Sequence, residues 1–182
     1  MDARGGAAAG AVGRVLLDEP TIAAEVARLG AQISADYEGR QPHLVGVLMG
    51  SAVFLADLVR ALTVPATLDF IATVPYGPMT PSGVVRIRKD LDEPIEGRDV
   101  IVVVGICASG LSLGYLLRNF ETRHPASLRV CAFLDKERPR PAGISLDYVG
   151  RQIPDVFVVG YGLDAEERFR NLPYICEHAG RP

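Results

Sequence analysis

DVIVVVGICASGLSLGYLLRNF, residues 99–120, passes from strand to helix within one short stretch. Residues 100–104 are an unbroken run of Val and Ile, the pattern of a strand covered on both faces. Residues 105–112 are small and flexible, and 113–120 resume a helical pattern. A strand, a small-residue turn and a helix N-terminus direct backbone N–H groups and a positive dipole end at one point, which suits a phosphate. Between Val100 and Arg118 the only ionisable side chains are Cys107 and Tyr115. The stretch has the layout of a phosphate loop without carboxylates to hold sugar hydroxyls or move a proton.

The flanking sequence repeats this alternation. Apolar residues at Ile22, Val26, Leu29, Ile33 and Tyr37 predict a helix over 21–37, with Thr21 as its N-cap. A strand over 43–49 ends at Gly50 and Ser51, and 53–62 return to helical spacing. Residues 66–73 and 84–89 read as strands around VPYGPMTPSG, residues 74–83, whose prolines and glycines suit either a functional lid or a plain hairpin connection. Beyond the central stretch come a strand over 128–134 ending at Asp135 and Lys136, and an Arg/Pro-rich loop over 137–146. A short strand over 156–159 and a short charged helix over 165–171 follow. Alternating strands and helices predict a single α/β domain built on a mostly parallel, twisted sheet flanked by helices. Ligands of such sheets gather at the carboxyl ends of strands, where strand order switches. Gly50, residues 105–112, Lys136 and residues 160–164 all fall there, and so share one expected site.

At 182 residues with 48% hydrophobic and 23% charged residues, the chain can bury a real core. A net charge of −3 argues against non-specific nucleic-acid binding. Cys107, Cys131 and Cys176 are scattered, with no metal-site spacing and no disulfide pattern. No apolar stretch reaches membrane-spanning length, and the Ala/Gly-rich start is too weak for a signal segment. Residues 1–18 are therefore expected as a flexible tail before a domain over 19–182, in a cytoplasmic protein. Only Lys89 and Lys136 are lysines among 19 basic residues, which draws attention to both.

The order of motifs resembles the hypoxanthine-guanine phosphoribosyltransferases, of the type I phosphoribosyltransferase fold. GVLMGSAVFLADLVRAL (46–62) is similar to the family's first loop and helix, and DFIATVPYG (69–77) to the strand entering its lid. IPDVFVVGYGLDAEERFRNLPYI (153–175) is similar to its purine and pyrophosphate segment, within a small purine-binding hood. Such enzymes join a purine to the ribose 5-phosphate of PRPP and release pyrophosphate, with Mg²⁺. The resemblance implies that Lys136 donates to a purine 6-oxo group, that Phe157 stacks on the base and that Val158 meets its edge. It implies a 5′-phosphate cradle of Ser109, Gly110 and Ser112, pyrophosphate contacts at Gly50 and Arg170, Mg²⁺ association at Asp164 and a lid tyrosine at Tyr76. Read alone, Lys136 is a solvated lysine between acids, Phe157 a core residue, and Asp164 and Arg170 part of an exposed charged helix.

The departures concern PRPP. The family's paired acids are Val104 and Gly105 here, its general base is Ala108, a common first-loop lysine is Met49, and the serine before the lid tyrosine is Pro75. The main expectation is a diverged homologue that binds a 6-oxopurine or purine nucleotide with transfer impaired or lost. The alternatives are a slow but genuine hypoxanthine/guanine phosphoribosyltransferase, or a repurposed enzyme with different chemistry in the same pocket, with or without Cys107, which reads either as a small apolar filler or as a thiol of lowered pKa beside a helix N-terminus. The expected partners are a homo-oligomer (dimer or tetramer) or an active paralogue, with no nucleic acid or membrane.

Overall fold

A computed structural model describes residues 12–75, 85–140 and 144–179. Its larger sheet comprises β2 (His43–Leu48), β3 (Thr67–Pro75), β4 (Val85–Lys89), β5 (Asp99–Cys107), β6 (Ser127–Lys136) and β7 (Tyr148–Ile153), in the order β4-β3-β2-β5-β6-β7. All pairs are parallel except β3–β4 at the edge. Three helices, α1 (Glu19–Asp36), α2 (Ala52–Ala61) and α3 (Leu111–Glu121), cover its faces. Ile101 and Val103 of β5 pack with Leu29, Ile33, Phe54 and Leu58 of α1 and α2, while Val100 and Val102 pack with Leu113, Leu116 and Phe120 of α3. That two-sided burial is why residues 100–104 are uniformly apolar.

Strand order reverses between β2 and β5: the chain runs outward from β2 to β3, then returns to lay β5 on the other side of β2. The loops after β2 and β5 therefore open the crevice where ligands of such sheets bind.

Four expectations are corrected. Residues 12–17 are not tail but β1 (Val12–Leu17), which pairs antiparallel with β9 (Ile175–His178); β9 pairs in turn with β8 (Val158–Val159) to complete a three-stranded second sheet, the hood. Helix α1 is capped by Asp18, whose Oδ1 accepts from the Thr21 N–H at 3.0 Å, so Thr21 already lies within the first turn. Strand β5 continues to Cys107, because Ile106 and Cys107 still pair with Leu134 and Asp135 of β6, and α3 begins at Leu111. The flexible stretch shrinks to Ala108–Gly110, and Gly105 is a strand residue. Residues 165–171 form turns rather than a helix, with positive φ at Glu166 (51°), Glu167 (62°) and Phe169 (76°).

Candidate active site

The β5–α3 junction is made by geometry the sequence anticipates. Gly110 adopts φ 74°, a left-handed conformation suited to glycine, and turns the chain into α3. The Leu111 N–H approaches Ser109 Oγ at 3.5 Å. Ala108, Ser109, Gly110 and Ser112 border a cavity of about 230 Å³ whose remaining wall is mainly apolar. Ala108 offers it a methyl group where a proton acceptor was sought.

Gly105 is closed off from this cavity in a different way. A Cβ built on it would clash with the carbonyl oxygen of Gly50, 3.0 Å from the Gly50 carbonyl carbon and 3.3 Å from Leu163 Cδ2. The loop after β2 thus seals the spot where a side chain at 105 would emerge. Gly50 itself lies in the turn that precedes α2, and Met49 beside it is exposed.

Across the β5–β6 pair, Cys107 is in register with Asp135, so the chain leaves β5 at Ala108 beside the Lys136 end of β6. The Lys136 ammonium is 3.2 Å from Asp155 Oδ1 and its side chain is only 13% exposed. It is a held lysine, not a freely solvated one. Asp155 also meets Arg138 at 3.5 Å. Asp135 is buried and accepts from Arg140 Nη2 at 2.8 Å, while Arg140 Nη1 lies 3.7 Å from Cys107 Sγ. Asp155 and Arg140 escaped the sequence reading; the only signal was an Arg/Pro-rich loop after a strand ending in Asp-Lys.

Cys107 does not behave as an activated thiol. It is the last residue of β5, it is buried, and burial pushes its pKa up against the opposing pull of Arg140. The position is a small core residue, in line with the apolar-filler reading and against a lowered pKa.

In the hood, the Phe157 ring meets His178 edge-on at 5.5 Å between centroids, and Val158 is buried in β8. Arg170 threads back into its own turn: Nη1 donates to the Gly162 carbonyl at 2.9 Å, and Nη2 meets Asp164 Oδ1 at 2.9 Å and Glu167 Oε2 at 3.0 Å. Asp164 Oδ2 accepts from the Glu167 N–H at 2.9 Å. Asp164 and Arg170 are therefore joined, on a loop that needs no helix to bring them together. Tyr76 lies outside the described residues.

A family model described as phosphoribosyl transferase domain matches residues 14–166. A hypoxanthine-guanine phosphoribosyltransferase of Mycobacterium avium is 48% identical over 173 residues, covering 91% of this chain and 85% of that protein. The chain belongs to the hypoxanthine-guanine phosphoribosyltransferase family. Solved structures agree. A hypoxanthine phosphoribosyltransferase of Staphylococcus aureus superposes with TM-score 0.91 at 38% identity, covering 97% of this chain and 96% of that one. A hypoxanthine-guanine phosphoribosyltransferase of Bacillus anthracis, with a HEPES molecule in its active site, gives 0.88 at 42% identity over 91% and 98%. The ends of β2, β5 and β6, with the hood, form the candidate active site. Among the described residues no helix is long and apolar enough to cross a membrane.

Proposed function

We propose that the chain is a hypoxanthine/guanine phosphoribosyltransferase of low catalytic rate, joining a 6-oxopurine to the ribose 5-phosphate of PRPP with release of pyrophosphate. The observation that carries the reading is Lys136, held at the end of β6 beside the β5–α3 cradle in a chain 48% identical to an enzyme of that name. An ammonium has three donors. Lys136 can keep Asp155 and still donate to a 6-oxo acceptor, whereas a 6-amino group would present it with another donor. Phe157 and Val158 would flank the base. The Ser109 and Ser112 hydroxyls with the α3 N-terminus would receive the 5′-phosphate, and Gly50 and Arg170 the pyrophosphate.

Among the described residues no group of three acidic, His or Cys side chains could hold a metal unaided. A single carboxylate, Asp164, still fits Mg²⁺ that takes its other ligands from diphosphate oxygens and water. There the ion would neutralise charge on the leaving pyrophosphate, and Arg170 would add a guanidinium to the same oxygens. With Ala108 in place of a base, the purine must lose its proton to water or to a substrate phosphate. The absence of a positioned base slows transfer by about 10²–10⁴.

A second reading, binding without transfer, is favoured by the sealed position at Gly105 and the methyl groups of Val104. Titration with guanine, GMP and PRPP, alongside a nucleotide-formation assay with Mg²⁺, separates the two. Steady turnover sinks the binding-only reading. Guanine or GMP binding with no turnover sinks the transferase. No binding of any of the three points to a repurposed pocket. The same preparation, run through light scattering, tests the further proposal that the chain assembles as a homodimer or homotetramer; a monomer at micromolar concentration would exclude it.

A further inference from the structure

We infer that Val104 makes the cavity at the β5–α3 junction select phosphate monoesters whose carbon skeleton carries no hydroxyl groups near the wall, so that a 2′,3′-dideoxynucleotide binds more tightly than the ribonucleotide. The inference rests on the proposal that the phosphate end of the ligand sits at Ser109–Ser112. From there the skeleton lies against Val47 at the end of β2, Val104 and Ile106 of β5, and Leu113 and Leu116 of α3. Among the described residues, the hydrogen-bonding side chains that line it are Ser109 and Ser112 at the phosphate end, Thr73 and the Cys107 thiol. Among the described residues no carboxylate borders the cavity. The nearest one in the strand register, Asp135, is buried with its Oδ2 held by Arg140 and its Oδ1 without a partner among the described residues, and it does not line the cavity; Gly105 cannot contribute a side chain because the Gly50 carbonyl crowds its exit.

A ribose diol entering this space sheds water to face methyl groups, which costs free energy unless new partners are found. A methylene in the same place gains by burial, about fourfold in affinity for each. Two such positions, with partial access to water, give a preference of about tenfold for the dideoxy compound. A carboxylate at 104 would accept hydrogen bonds from the diol and impose the opposite order.

The test is calorimetric titration of the full chain with guanine, GMP and 2′,3′-dideoxy-GMP, without metal. The expected result is about tenfold tighter binding of the dideoxy nucleotide, a narrowed gap in the isosteric variant Val104→Thr, and a reversed order in Val104→Glu. GMP binding as tightly as its dideoxy analogue, or more tightly, overturns the inference. Binding of guanine but of neither nucleotide also overturns it, while leaving the purine site standing. If guanine itself does not bind, the purine reading falls, and pentyl phosphate against ribose 5-phosphate tests the wall alone. Tighter pentyl phosphate supports the inference and tighter ribose 5-phosphate overturns it.

Discussion

Gly105→Ala is the substitution whose cost can be worked most directly from the packing. The added Cβ would lie far inside van der Waals contact of the Gly50 carbonyl oxygen. Backbone rather than a flexible side-chain tip stands in the way, so relief requires the 49–51 turn to move. That turn is pinned at three points: Ser51 Oγ donates to the Val47 carbonyl at 2.7 Å, the Ala52 N–H to Met49 O at 3.1 Å, and the Leu55 N–H to Ser51 O at 2.8 Å. Overpacking of this kind costs about 1–3 kcal/mol. In a domain of this size, about 2 kcal/mol lowers the melting temperature by roughly 4–8 °C. Differential scanning calorimetry of Gly105→Ala against the native chain reads this directly, with Val104→Thr as an isosteric neighbour expected to change little. Rebuilding acids at 104 and 108 needs no such movement, because both residues already border the cavity. The double variant Val104→Glu/Ala108→Asp should gain about 10²–10⁴ in the rate of nucleotide formation, whereas adding Gly105→Asp to it should lose stability. An unchanged melting temperature for Gly105→Ala would refute the steric reasoning. A folded, guanine-binding double variant with no gain in rate would refute the catalytic reasoning.

Three further outcomes follow from the site and its support. Lys136→Ala should weaken guanine binding by roughly tenfold to a hundredfold, the scale of a hydrogen bond to a charged group, and an unchanged dissociation constant would remove Lys136 from the purine site. Cys107, Cys131 and Cys176 are all buried, and burial raises the thiol pKa of each. Alkylation at pH 8 should therefore be slow in the native protein and fast in urea; rapid native labelling of Cys107 would restore a chemical role for it. Asp69 is buried, which opposes its ionisation, but the backbone N–H groups of Phe70, Glu93 and Asp92, with Lys89 adding its charge, outweigh that and hold its pKa below the usual carboxylate value. Its contribution to stability is full above the unfolded-state pKa of about 3.9 and disappears as pH falls through the lower folded value. Urea unfolding at pH 5 and pH 3 should show a smaller acid loss for Asp69→Asn than for the native chain, and equal losses would exclude this linkage.

Local pattern made much of the fold readable. Residues 99–120 announce a buried strand and a helix because periodicity and the small residues between them are properties of neighbours in sequence. The family resemblance reached further, placing the hood's similarity on residues 153–175 and directing attention to Lys136. Residues 165–171 misled, since Glu166, Glu167 and Arg168 look like a charged helical face. The backbone there is instead bent into turns, which Arg170 joins to Gly162, Asp164 and Glu167. Strands β1 and β9 were missed because each is short and finds its partner at the opposite end of the chain, a pairing with no local signature.

The amino-acid sequence alone therefore determined the α/β alternation, the phosphate-loop layout and the absence of carboxylates at 104, 105 and 108, since each is a matter of residue identity and spacing. Tertiary structure decided what that absence means physically. Gly105 lies on a strand under the Gly50 carbonyl, Val104 faces a cavity, Lys136 is held by Asp155, and the Cys107 thiol is buried beside Arg140. These facts depend on segments far apart in sequence approaching within van der Waals or ion-pair distance. No local pattern encodes which carbonyl will close over a glycine.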